Sequence, residues 1–161
     1  GNRPDLFPVG AYPNASQTQT YLDYDVPPEA LADAQFAAML TEAEKYLGFP
    51  YVWGGSSPST SFDCSGFVSW VINHSGWNVG RLGAKALCNL CTPVSPANAQ
   101  PGDLVFFINT YNAPDPSAPT HCGIYVGNHM MIHCGSPISY ADLNSTYWQD
   151  HFYTYARLPS P

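Results

Sequence analysis

The hydrophobic period changes once along the chain, and the change falls between residues 91 and 102. Ahead of it, apolar residues recur at spacings of three and four, the period of helices with one buried face. Behind it, short β-rich runs alternate with turn residues, the pattern of paired strands. A chain with helices first and strands afterwards does not build alternating βαβ units. The pattern therefore predicts an α+β fold, with N-terminal helices packed on a central antiparallel sheet.

In detail, Leu31, Ala34, Phe36, Ala38, Met39, Leu40, Ala43 and Leu47 predict one amphipathic helix over residues 29–47, stopped by Gly48 and Pro50. Phe67, Val68, Trp70, Val71 and Ile72 predict a buried helix that ends at Ser75-Gly76 and has Cys64 at its N-terminal edge. A shorter helix is expected over 83–91. Strands are expected over 102–108, 121–127, 130–134 and 153–158. Residues 1–28, rich in Pro, Asn, Asp, Gln and Thr, read as an extended arm or linker remnant, and the domain as residues 29–161. Gly1 reads as a tag scar, and the ragged start as the edge of a fragment cut from a longer secreted protein.

Composition removes several function classes. With 45% hydrophobic and 14% aromatic residues the chain has a core to bury, which excludes intrinsic disorder. No apolar run approaches the roughly 18 residues needed to cross a bilayer. Five basic residues without a cluster exclude nucleic-acid binding. Residues 1–44 hold seven acids and one base, whereas residues 45–161 hold five acids and four bases, so the acidity belongs to the front of the chain. The near-neutral remainder, solubilised by hydroxyl and amide side chains, suits a sugar or peptide substrate.

Five cysteines (Cys64, Cys88, Cys91, Cys122 and Cys134) leave at least one thiol unpaired in a single chain. A thiol attacks as its thiolate, which a helix N-terminus and a nearby imidazole both favour. Cys64 has the first of these, and His121 is the candidate for the second. His121 and His133 flank a hairpin turn near Gly127-Asn128. Residues twelve apart on paired strands share a face only if the loop is odd or a bulge intervenes. A three-residue loop Gly127-Asn128-His129 supplies the odd count. His121 is then the base for Cys64, and His133 holds its other ring nitrogen, with Cys122 and Cys134 on the opposite face.

The motifs Tyr51-Val52-Trp53-Gly54-Gly55, Asp63-Cys64-Ser65-Gly66-Phe67-Val68, Gln100-Pro101-Gly102-Asp103-Leu104-Val105-Phe106-Phe107, His121-Cys122-Gly123-Ile124-Tyr125-Val126-Gly127 and Met131-Ile132-His133 resemble, in order and spacing, those of NlpC/P60 cysteine peptidases. The resemblance spans roughly residues 30–158. It implies a papain-like fold and hydrolysis of bacterial cell-wall stem peptides after γ-D-glutamate, without metal or organic cofactor. It places the nucleophile on Cys64, the base on His121, the orienting residue on His133 and an oxyanion-site hydroxyl on Tyr51. In members that recognise a free L-Ala amine, the residues flanking the nucleophile contact it, which implies Asp63 and Ser65. Asp63 also suits the N-cap of the helix. The chain departs from the pattern in a longer stretch from Tyr51 to Cys64, in Cys122 and Cys134, and in the loop 109–120 with its three prolines.

The expected setting is secreted or surface-attached and bacterial, with a monomer acting on peptidoglycan and further domains upstream. Three rivals compete: an amidase cutting muramic acid from L-alanine, a zinc module built on Cys88-x-x-Cys91, and a noncatalytic wall-binding module.

Overall fold

The computed structural model describes residues 19–161. The part of the expected arm over residues 1–18 lies outside the described residues. From residue 19 to 27 the chain has no regular secondary structure but lies against the domain: Gln19 N–H donates to Gly48 O, Tyr140 N–H donates to Leu22 O, and the rings of Tyr24 and Tyr140 meet edge to face.

The expected single helix over 29–47 is two pieces. A 3-10 turn, Pro28–Ala32, is followed by α1, Ala34–Glu44. Asp33 divides them because it is a good cap: its extended backbone stops the first piece, and its carboxylate accepts from Gln35 and Phe36 N–H to start the second. Phe36, Met39, Leu40 and Ala43 form the buried stripe of α1, whereas Leu31, in the 3-10 turn, stays exposed. A two-strand ribbon, β1 (Ser56–Ser57) with β2 (Ser61–Phe62), then leads into α2, Cys64–Asn73. Phe67, Val68, Val71 and Ile72 of α2 are fully buried. A third helix, α3, runs Ala84–Leu90.

The remaining strands are β3 (Thr92–Val94), β4 (Leu104–Phe107), β5 (His121–Gly127), β6 (Met130–Cys134), β7 (Ile138–Asp142) and β8 (Phe152–Arg157), with α4 (Thr146–His151) before the last. They form one antiparallel sheet in the order β3-β8-β4-β5-β6-β7. One sheet face packs on α1 and α2 through Phe106, Cys122, Ile124, Val126, Ile132 and Cys134. The other carries a smaller cluster, Val105, Phe107, Tyr125, Met131, Leu143 and Tyr155. The architecture is the expected α+β one. Among the described residues no helix is long and apolar enough to cross a membrane.

The β5–β6 connection differs from the expected odd loop. Only Asn128 and His129 lie between the strands, both with positive φ, as a tight primed hairpin turn requires. The register shifts between Tyr125 and Gly127, so one extra residue bulges from β5. That bulge, not a three-residue loop, brings His121 and His133 to one face.

Candidate active site

Asp63 caps α2 by accepting from Gly66 N–H at 2.7 Å, which fixes Cys64 as the first helical residue, beside the unpaired N–H groups of the first turn. The helix start is wedged against the Gly54-Gly55 turn: Asp63 N–H donates to Gly55 O at 3.0 Å, and Gly54 N–H donates to Asp63 Oδ2 at 3.0 Å. A Cβ on Gly66 would run into Gly55 O, so this approach requires glycine after Ser65. The extra length between Tyr51 and Cys64 is taken up by the β1–β2 ribbon. Tyr51 itself pairs with Phe62 in an isolated parallel bridge and returns to the site.

The Cys64 Sγ lies 3.8 Å from Thr120 O, over the start of β5. His121 and Cys122, the next two residues, both reach it. The Cys122 thiol hydrogen-bonds the Cys64 sulfur, and His121 bonds it and favours its charge. Together these overcome burial and hold Cys64 well below the ordinary thiol range. Cys122 is pushed well above it by the same bond to Cys64 and by complete burial. Cys64 is the thiolate of this pair because it alone has the helix N-terminus and the imidazole.

Behind His121 the geometry is equally specific. Its Nε2 is 2.8 Å from His133 Nδ1, leaving Nδ1 of His121 for the thiol. Burial and the neighbouring His121 hold His133 well below the ordinary imidazole range, so it stays neutral. Trp148 of α4 stacks on His121 with centroids 5.3 Å apart and meets His133 edge-on at 5.1 Å, closing this side from water. Phe107 packs on the same side, 4.6 Å from the Trp148 ring and 5.9 Å from the His121 ring.

The Tyr51 hydroxyl lies beside the Cys64 backbone N–H, the position where an oxyanion would sit. Burial, with Cys64, Asp63 and Cys134 nearby, pushes Tyr51 up, so it is a neutral donor. Asp63 and Ser65 flank the nucleophile but are engaged by Arg81. One guanidinium nitrogen lies 2.8 Å from each Asp63 oxygen, and the other donates to Ser65 Oγ at 2.7 Å.

The structure thus brings Cys64, His121, His133, Tyr51, Asp63 and Ser65 into one cleft. Sequence reasoning missed Arg81, Trp148 and Tyr111. A cavity of about 420 Å³ lies on the histidine side, bounded by Tyr51, His121, His133, Tyr147 and Trp148. Another of about 320 Å³ lies on the Asp63 side, bounded by Tyr51, Trp53, Cys64, Lys85 and Tyr111. A larger open groove along residues 92–100 and 157–160 is lined by no cysteine or histidine, and its Arg157 is paired with Asp103. All five cysteines are free thiols. Among the described residues no group of three or more His, Cys, Asp or Glu side chains is arranged to hold a metal ion.

The NlpC/P60 family model matches residues 48–157. The chain is 44% identical over 124 residues to the bifunctional muramidase/DL-endopeptidase CwlT of Bacillus subtilis (strain 168), covering 76% of this chain and 36% of that protein. It is 37% identical over 113 residues to the gamma-DL-glutamyl hydrolase of the same organism, covering 69% of this chain and 26% of that protein. A crystal structure of a lipoprotein-like NLP/P60 protein from Staphylococcus aureus superposes with a TM-score of 0.76 at 39% identity, over 91% of this chain and 48% of the other. The chain therefore spans little more than a third, or less, of these curated relatives.

Proposed function

Because the chain belongs to the NlpC/P60 family, we propose that it is a cysteine endopeptidase of peptidoglycan, cutting stem peptides after γ-D-glutamate. The observation that carries this reading is the contact of the Cys64 thiol, at the start of α2, with His121, itself bonded to His133. Relatives bearing the names DL-endopeptidase and gamma-DL-glutamyl hydrolase support the choice of bond. Such a substrate lies outside the membrane, so the reading includes an extracytoplasmic location.

In this mechanism the Cys64 thiolate attacks the scissile carbonyl, and the negative charge that develops on its oxygen is received by the Cys64 N–H and the Tyr51 hydroxyl. His121, protonated at the nitrogen facing the sulfur, gives that proton to the departing amine, and the C–N bond breaks to leave a thioester. Water then loses a proton to His121 and attacks the thioester, returning the thiol. His133 is neutral and buried, so it fixes the His121 ring and tautomer by one hydrogen bond without competing for the proton. Trp148 keeps bulk water from the imidazole pair.

Mass spectrometry of cell-wall digests tests the reading. Products ending at D-glutamate, present with the native chain and absent with Cys64→Ala, are expected. Release of whole stems from the sugar would make the enzyme an amidase, and no product from either protein would favour a wall-binding module.

A further inference from the structure

On the side of Cys64 away from His133, the cleft carries a surface that the proposed hydrolysis leaves unused. Trp53 is 73% exposed and Tyr111 is 47% exposed, yet their rings meet edge to face at 5.5 Å. Both bound the same cavity as Asp63, Cys64 and Ser65. Tyr111 is held there by the base of its loop: Thr110 N–H donates to Thr120 Oγ1 at 3.0 Å, and Thr120 N–H donates to Phe107 O at 2.8 Å. Two large rings left bare beside a reaction centre mark a surface that a ligand covers.

A second observation concerns charge. A stem peptide with a free L-Ala amine presents an ammonium at this end of the cleft, where the carboxylate is Asp63. Its Oδ1 accepts from Gly66 N–H at 2.7 Å and its Oδ2 from Gly54 N–H at 3.0 Å, and Arg81 lies 2.8 Å from both. Ser65 Oγ already accepts from Arg81. A carboxylate so occupied has little capacity left for a cation, and Lys85 on the cavity wall repels one. If muramic acid acylates the L-Ala nitrogen through its lactyl group, the nitrogen is neutral and a pyranose follows. One face of a pyranose is a set of C–H bonds, apolar and slightly positive, which suits the negative face of an indole. Two extended residues span on the order of 7 Å, which puts that sugar at the rim beyond Asp63 when the scissile carbonyl is at Cys64.

We propose that Trp53, braced edge-on by Tyr111, is a stacking platform for the amino sugar that carries the stem peptide. The substrate is then the glycan-attached stem, not the peptide with a free L-Ala amine. This rests on the endopeptidase reading above.

Three soluble substrates with one stem sequence test it: the free-amine peptide, its N-acetyl form, and the disaccharide peptide. The N-acetyl form separates loss of charge from gain of the sugar. The expected order of kcat/KM is disaccharide, then N-acetyl, then free amine, with the first step about tenfold, the scale of one good aromatic contact. Trp53→Ala should collapse that first step, mainly through KM, and Trp53→Phe should keep most of it. Preference for the free amine, or an equal loss on all three substrates in Trp53→Ala, would overturn the proposal. Cleavage of none of the three would remove the endopeptidase reading and this inference together.

Discussion

Cys64 and Cys91 are the same side chain at opposite ends of two neighbouring helices, and they differ in almost nothing except what surrounds the sulfur. Both are buried, at 6% and 9% exposure. Burial raises a thiol, and at Cys91, the C-cap of α3, nothing opposes it: desolvation, then Cys88 and Asp103, push the group up to about 12. At Cys64, the first residue of α2, the Cys122 thiol and His121 reverse the sign. The two helix ends also carry opposite partial charges. Reactivity in this molecule is therefore set by donors placed around a buried sulfur, and not by how far that sulfur is from solvent.

The largest test of the contrast is removal of each sulfur. Cys64→Ala should lower kcat/KM by about 10³-fold or more, the scale seen when a nucleophile is removed. Cys91→Ala should leave turnover intact and cost about 1 kcal/mol in denaturant unfolding, the size of a small core deletion. Next in size is His133→Ala. It loosens the His121 ring without touching the thiol and should lower kcat about 10²-fold, the cost of misplacing a catalytic group, while circular dichroism stays native.

Alkylation by iodoacetamide separates the two cysteines without any substrate. Because the Cys64 pKa is depressed, its thiolate persists to lower pH than that of an ordinary thiol and is lost as pH falls through that lowered value. Cys91 remains a thiol until pH rises toward about 12. Peptide mapping at pH 7 should find Cys64 modified at least about tenfold faster. Equal rates would dissolve the comparison. The smallest effect belongs to Cys122→Ala, which deletes the leading donor to Cys64. Its loss raises the Cys64 pKa, so the acid limb of the kcat/KM profile should move to higher pH by about one unit or less, the worth of one hydrogen bond.

Some of this could be read before any coordinates. The apolar run 67–72 behind Asp63 announces a helix with Cys64 at its start, and the order of helices and strands announces the layers. That His121 and His133 share a face followed from counting, although the count cannot tell an odd loop from a bulge. Asp33 is an N-cap in plain sight, but the apolar spacing runs on through Leu31 and hides the break. Trp148 sits in six residues of α4, too short for any period to show. Arg81 reaches Asp63 and Ser65 from a stretch without regular structure. Only the fold brings such residues to the cleft, so their roles leave no local trace.

The extra residue in β5 lies at the far end of the hairpin from the chemistry, about 20 Å along the strand at 3.4 Å per residue. Were the same residues paired straight on from Gly127 with Met130, with no bulge, His133 would fall opposite Ile124 and turn toward α2, and Cys134 would take its place opposite Gly123, beside His121. The tip of this hairpin therefore decides which face His133 takes. Removing the extra residue should leave Tyr125 opposite Met131 and His133 in place, whereas keeping it and straightening the strand should leave His121 without its partner. A turn at the molecular surface, ordinarily free to vary, sets in this protein which side of a distant strand carries the chemistry.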